Sequence, residues 1–281
     1  MLSTLTPPSR SASGATHTIG SGVTQYRVSV VIPARNDAKN LSHVLPRIPS
    51  WVAEIILVDG YSSDGTIDEA RRLCPNIVVT TQPGRGKGDA LRAGFAAATG
   101  AIIVMLDADG STDPAEIPSY VGMLLGGADF VKGSRFVQGG GTSDMEGYRR
   151  FGNWCLTRLV RFLFGGQYSD LCYGYAAFWS RVLPLLDLYG DGFEIETIMN
   201  VRALRAGLRI AEVPSFESAR VHGTSNLRTI PDRWRVLKEI AREWAPIGAK
   251  PKAATPPVQL RSVSLAQPPR VSADDEVGIA A

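Results

Sequence analysis

Ala101-Ile102-Ile103-Val104-Met105-Leu106-Asp107-Ala108-Asp109-Gly110 is the stretch on which the reading of this chain turns. Six apolar residues with no alternation describe a strand covered on both faces, hence a central strand of a mostly parallel sheet. Two carboxylates then follow two residues apart. They repel each other unless something neutralises them. A hard divalent cation does so, and an all-oxygen pair suits Mg²⁺ or Mn²⁺. An isolated Asp-x-Asp is more often a solvated turn. The buried strand before it and the loops around it are what turn the pair into a site.

Working outward, short apolar runs alternate with helical ones. Val28–Ile32 reads as a strand stopping at Pro33, Asp37–Leu45 as a helix, and Glu54–Val58 as a strand ending at Asp59. Thr66–Leu73 is helical, Ile77–Thr80 a strand, and Gly88–Ala98 an alanine-rich helix. This alternation predicts βαβ units and an α/β fold. In open sheets of that kind ligands bind beyond the carboxyl ends of the strands. Pro33-Ala34-Arg35-Asn36-Asp37, Asp59–Thr66 and Asp107–Gly110 all fall there.

Each loop has an ordinary reading beside a functional one. Asp59 at a strand end can accept hydrogen bonds from a nucleobase or ribose, whereas Asp64 suits helix capping. In Pro83-Gly84-Arg85-Gly86-Lys87-Gly88-Asp89, three glycines allow close backbone approach, and the following helix N-terminus favours anions. Lys87 can pair with a phosphate or a carboxylate. The loop lacks the Gly-x-x-x-x-Gly-Lys-Ser/Thr pattern of a Walker A motif.

The chain has 281 residues, 44% apolar and 20% charged, with a net charge of +3. That balance does not describe a nucleic-acid binder, which needs a concentrated basic patch. Cys74, Cys155 and Cys172 are scattered and read as reduced thiols in a cytosolic protein. No run is long enough to span a bilayer and no secretory signal is visible, so a cytoplasmic location is expected, free or at a membrane surface. Residues 1–26 are rich in Ser, Thr, Gly and Pro, and residues 247–281 are similarly poor in large apolar side chains; both are expected to be disordered. The folded domain is expected over 27–246.

Taken in order, Val30-Val-Ile-Pro-Ala-Arg-Asn36, Ile56-Leu-Val-Asp-Gly-Tyr-Ser-Ser-Asp-Gly-Thr66, Gly86-Lys-Gly-Asp-Ala-Leu91 and Leu106-Asp-Ala-Asp-Gly110 resemble glycosyltransferase family 2, in its dolichyl-phosphate (polyprenyl-phosphate) mannosyltransferase-like branch. Lys132-Gly-Ser-Arg-Phe136, Asp170–Phe178 and Arg220-Val-His-Gly-Thr-Ser-Asn226 continue the resemblance, which covers about residues 27 to 240. It implies a single Rossmann-like domain of the GT-A type, a GDP- or UDP-hexose donor, and inversion at the anomeric carbon. It further implies that Pro33, Ala34, Asn36 and Asp59 border the nucleoside. Gly86, Lys87, Asp107 and Arg220 would contact the nucleotide sugar, and Asp107 and Asp109 the metal. Arg135, Arg220 and His222 are candidate helpers. Physically, the leaving nucleoside diphosphate gains negative charge that a metal and basic groups stabilise.

Two positions depart from the pattern. Asp37 stands where the family often has Glu, and Ser111 where many relatives have Gln. That opens the third metal ligand, for which His222 is the candidate. On the acceptor side, Tyr148–Phe164 is a helix with basic and aromatic residues interleaved, suited to a membrane interface or to a lipid phosphate, or else simply packed on the sheet. A hydroxyl acceptor needs a general base, for which Asp170, Glu194 and Glu196 are candidates, Asp170 and Glu196 foremost. A phosphate acceptor needs none, since it is already anionic with a second pKa of about 6.

Other classes fit less well. A nucleotidyltransferase would carry a Gly-rich basic loop directly after the first strand. A dinucleotide dehydrogenase needs Gly-x-Gly-x-x-Gly there. A soluble hydroxyl or polysaccharide acceptor, or a non-catalytic nucleotide-sugar-binding protein, is the alternative that residues alone leave open.

Overall fold

A computed structural model describes residues 26–143, 145–223 and 229–245. The expected leader and tail lie outside these residues, apart from Tyr26. Its ring packs edge-on against Trp179 at 4.9 Å.

The parallel half of the sheet consists of β1 (Val28–Ala34), β2 (Glu54–Asp59), β3 (Val78–Thr81) and β4 (Ile102–Met105). Between them run α1 (Ala38–Val44), α2 (Thr66–Leu73) and α3 (Lys87–Ala97). After β4 come α4 (Ile117–Leu125), β5 (Phe130–Ser134), the short β6 (Gly141–Thr142) and the long α5 (Gly147–Phe164). The chain continues through β7 (Ala176–Trp179), α6 (Leu183–Leu186), α7 (Glu194–Arg205), β8 (Ile210–Pro214), β9 (Phe216–Glu217) and α8 (Thr229–Trp244).

The main sheet has the order β3-β2-β1-β4-β7-β5-β8, with β6 and β9 forming a separate pair. The apolar run behaves as its composition predicts. β4 is the fourth of seven strands, and its residues are at most 2% exposed. It pairs parallel to β1 with Val31 opposite Met105, while β7 enters antiparallel between β4 and β5. β1 runs two residues further than expected and includes Pro33, which sits opposite Val58. Pairing with β4 ends at Val31, so the absent Pro33 N–H forfeits no bond on that side. α3 crosses β1 and β2 closely because residue 94 is glycine: a Cβ there would run into the Val31 and Val58 side chains.

β1 leads through α1 to β2 on one side, while β4 lies on its other side. The sheet therefore changes direction between β1 and β4, the position where open α/β sheets leave a crevice. A second, smaller core joins Leu156 and Val160 of α5, Val201 of α7, and Val236 and Ile240 of α8.

Candidate active site

A cleft of about 1450 Å³ opens beyond the carboxyl ends of β1 and β4. Pro33 and Ala34 line it from β1, Gly86 and Lys87 from the glycine loop, and Asp107 and Asp109 from the turn after β4. The acidic pair is held by cations from distant parts of the chain. Lys87 Nζ lies 2.5 Å from Asp107 Oδ1 and 2.7 Å from Glu196 Oε1. Arg220 spans Asp109 Oδ2 at 2.9 Å and Asp37 Oδ1 at 3.2 Å. The other Asp109 oxygen accepts from the Ser111 N–H and hydroxyl, so Ser111 supports the carboxylate.

Burial, then the like charges of Asp109 and Glu196, push the Asp107 carboxyl up to about 6 despite the opposing Lys87 ammonium. Lys87 in turn is pushed upward: burial opposes its charge, but Asp107 and Glu196 outweigh it. A carboxylate raised beside a lysine marks a cluster with more negative than positive charge. Such a cluster gains from added positive charge. Its donors are hard oxygens, which suits a divalent cation completed by phosphate oxygens and water. Gly174 forms the floor. A Cβ there would lie 2.8 Å from Glu196 Oε1 and Lys87 Nζ, and 3.0 Å from Asp107 Oδ2.

The other half of the cleft is organised around Arg135. Its Nε donates to Asp170 Oδ2 at 2.7 Å, Nη2 to Asp170 Oδ1 at 2.9 Å and to the Cys172 carbonyl at 2.8 Å, and Nη1 to Glu217 at 2.9 Å. Asn153 of α5 also donates to Asp170 Oδ1. Burial works to raise the fully buried Asp170 carboxyl, but Arg135 and Lys132 hold it below its ordinary value.

Four of the predicted residues are not part of the cleft lining. Asp170 is no free base: both oxygens are occupied by Arg135, and it lies behind that side chain. Asn36 does not line the cleft. It adopts φ 57° and accepts from the Ser63 N–H, tying the β1 loop to the β2 loop. Asp59 is buried beneath its own loop, where it accepts from the Tyr61 and Ser62 N–H groups. His222 is the fourth. Asn40 clamps its backbone at both N–H and carbonyl, and its ring lies 5.9 Å from that of His43. Among the described residues no three His, Cys, Asp or Glu side chains form a metal cage.

The remaining predicted residues, Glu196, Arg135 and Arg220, do face the cleft. The sequence reading missed Glu217, Gly174 and the arginines Arg149, Arg233 and Arg235 that line its far wall. Arg149 lay inside a stretch already read as basic and helical. Arg233 and Arg235 carried a weaker signal, a basic segment interleaved with Trp234 and Trp244.

The direction change between β1 and β4, with a carboxylate pair at its mouth, fits the GT-A fold of glycosyltransferases. Residues 29–184 match glycosyl transferase family 2, and the chain belongs to that family. Glycosyltransferase AglJ of Haloferax volcanii is 31% identical over 218 residues, covering 76% of this chain and 71% of that one. The undecaprenyl-phosphate mannosyltransferase of Micrococcus luteus is 32% identical over 215 residues, covering 72% and 87% respectively. Among solved structures, glucosyl-3-phosphoglycerate synthase from Mycobacterium tuberculosis, in complex with Mn²⁺, UDP and glucosyl-3-phosphoglycerate, aligns with a TM-score of 0.61 at 24% identity. The alignment covers 78% of this chain and 80% of that one, a likeness of fold.

Proposed function

We propose that this chain transfers a hexose, with inversion, from a GDP- or UDP-sugar to a polyprenyl phosphate at the cytoplasmic face of a membrane. The observation that carries this reading is the charge inventory of the cleft. Among the described residues it is lined by five carboxylates (Asp37, Asp107, Asp109, Glu196 and Glu217) and eight basic side chains. Every one of the five is ion-paired. Taken as a whole the lining carries more positive than negative charge, which favours an anionic ligand, and it offers an acceptor hydroxyl no unengaged carboxylate as its base. An acceptor phosphate needs no base, because it is already ionised near neutral pH with a second pKa of about 6. The mannosyltransferase from Micrococcus luteus, whose name specifies undecaprenyl phosphate, supports the same acceptor class.

In this reading Pro33, Ala34, Tyr61 and Gln82 bound the nucleoside end. Asp59 and Asn36 act one step back, by holding the loops that shape it. Asp107 and Asp109 would hold Mg²⁺ or Mn²⁺, which supplies charge neutralisation for the departing diphosphate. Lys87 and Arg220 keep those carboxylates aimed and add positive charge where the nucleoside diphosphate leaves. Arg135, fixed by Asp170 and Glu217, adds its positive charge to the acceptor end. A phosphate oxygen attacks the anomeric carbon as the bond to the diphosphate oxygen breaks on the opposite side.

The test has two stages. Thermal shift against GDP- and UDP-hexoses, with and without Mn²⁺, should single out one base and show metal dependence. Labelled hexose should then pass to a short-chain polyprenyl phosphate. Stabilisation by no nucleotide sugar, or transfer confined to hydroxyl acceptors, would overturn the reading.

A further inference from the structure

α8 is secured on one side and bare on the other. Glu243 is 3% exposed and accepts from Arg202 Nε at 2.9 Å, Arg205 Nη1 at 2.7 Å and the Tyr189 hydroxyl at 2.7 Å. Val236 and Ile240 pack into the core shared with α5. Away from that face Trp234 is 71% exposed, and along its flank Leu237 and Trp244 remain 36% and 50% exposed. Spacings of three and seven residues place these side chains on one helical stripe. The neighbouring α5 repeats the arrangement. Its buried side holds Leu156 and Val160, while Phe151 and Trp154 stand exposed and Phe162 is 86% exposed. Large aromatic side chains grouped in solvent on two packed helices mark an interaction surface rather than scattered apolar exposure.

The charges around them identify the partner. α5 carries four arginines and no acidic residue. On α8, Glu239 and Glu243 accept from Tyr189, Arg242 lies over the Tyr189 ring with its side chain 65% exposed, and Lys238 is exposed. Arg158 lies over the Trp154 ring and Arg233 over that of Tyr148. Tryptophan and arginine together suit the headgroup layer, where an amphipathic ring and a cation are both satisfied. A second copy would set like charges against each other. The same helices also form the far wall of the cleft, through Arg149 and Leu156 of α5 and Arg233 and Val236 of α8.

We propose that the outer faces of α5 and α8 form a docking platform for an anionic lipid surface, bringing the cleft mouth to the headgroups. This deepens the acceptor reading above and rests on it for its purpose, but it is tested without any acceptor. The full chain is floated with vesicles of phosphatidylcholine containing about a third phosphatidylglycerol and no polyprenyl phosphate. The wild type should float with these vesicles and far less with phosphatidylcholine alone. The double variants Trp234→Ser/Trp244→Ser and Phe151→Ser/Phe162→Ser should each lose about tenfold in partitioning, since each removes two large buried apolar contacts. Because these side chains are exposed, melting temperature and transfer to a short-chain, water-soluble polyprenyl phosphate should stay unchanged. Wild-type protein that stays in the supernatant, or variants that float equally well, would overturn the platform. So would a concentration-dependent dimer that the same substitutions abolish. If the protein floats as expected but transfers to no polyprenyl phosphate, the platform stands and the acceptor reading falls.

Discussion

Lys87 Nζ approaches Asp107 Oδ1 to 2.5 Å, although Lys87 opens α3 and Asp107 follows β4. With Glu196 on the other side of the same ammonium at 2.7 Å, one cation serves two carboxylates beside a third, Asp109.

Lys87→Met should therefore leave Asp107 and Glu196 without their shared partner. Breaking a buried pair costs roughly 3–5 kcal/mol; Asp107 keeps 28% side-chain exposure, which reduces the expected loss to roughly 2 kcal/mol. Urea unfolding measures it. Mn²⁺ should stabilise the variant more than the wild type, because it replaces the missing charge. An equal metal response in both proteins would contradict the shared-cation picture.

Asp109→Asn keeps the size of the side chain and removes its charge. Transition-state stabilisation of several kcal/mol should be lost, about a thousandfold in kcat, together with the Mn²⁺-dependent thermal shift. Steady-state kinetics and melting curves read the two effects separately. Retained metal dependence would move the metal site elsewhere.

Gly174→Ala would place a methyl group within 2.8 Å of both Lys87 Nζ and Glu196 Oε1. The charge cluster must then spread, at a cost of roughly 1–3 kcal/mol for overpacking. Metal affinity should fall with stability, as titration calorimetry would show. A variant with wild-type Tm and metal affinity would mean that the floor of the site is softer than this geometry.

Asp170→Asn tests positioning. Burial raises the Asp170 carboxyl, but Arg135 brings it below its ordinary value, so its stabilising contribution is present above an unfolded pKa near 3.9 and is lost as pH falls through the lower folded value. The wild type should lose stability steeply below about pH 4, while the variant, less stable by roughly 3–5 kcal/mol at neutral pH, should show a flatter acid limb. Acid titration followed by circular dichroism distinguishes them. The KM for the acceptor should rise more than kcat falls, because Arg135 is displaced rather than removed; a pure loss of kcat would restore Asp170 as a reacting group.

Much of this was legible in the residues themselves. Val30–Ile32, Ile56–Val58 and Ile102–Met105 are apolar without alternation because a parallel sheet covers them on both faces. Local composition therefore determined the strands, the central place of β4, and the gathering of Asp107, Asp109 and the glycine loop at one edge. Family motifs carried the reaction class. What only the tertiary structure decided is which side chains meet across long separations. Glu196 stands 109 residues from Lys87, and Arg220 lies 183 residues from Asp37. No local pattern encodes such pairs, because charge pairing at a site depends on how elements pack and not on sequence spacing. The same holds for Asp170, whose acidity suggests a base until burial beneath Arg135 makes it a support. It holds too for Trp234, Leu237 and Trp244, whose exposure is decided only by the packing of α8 through Val236, Ile240 and Glu243.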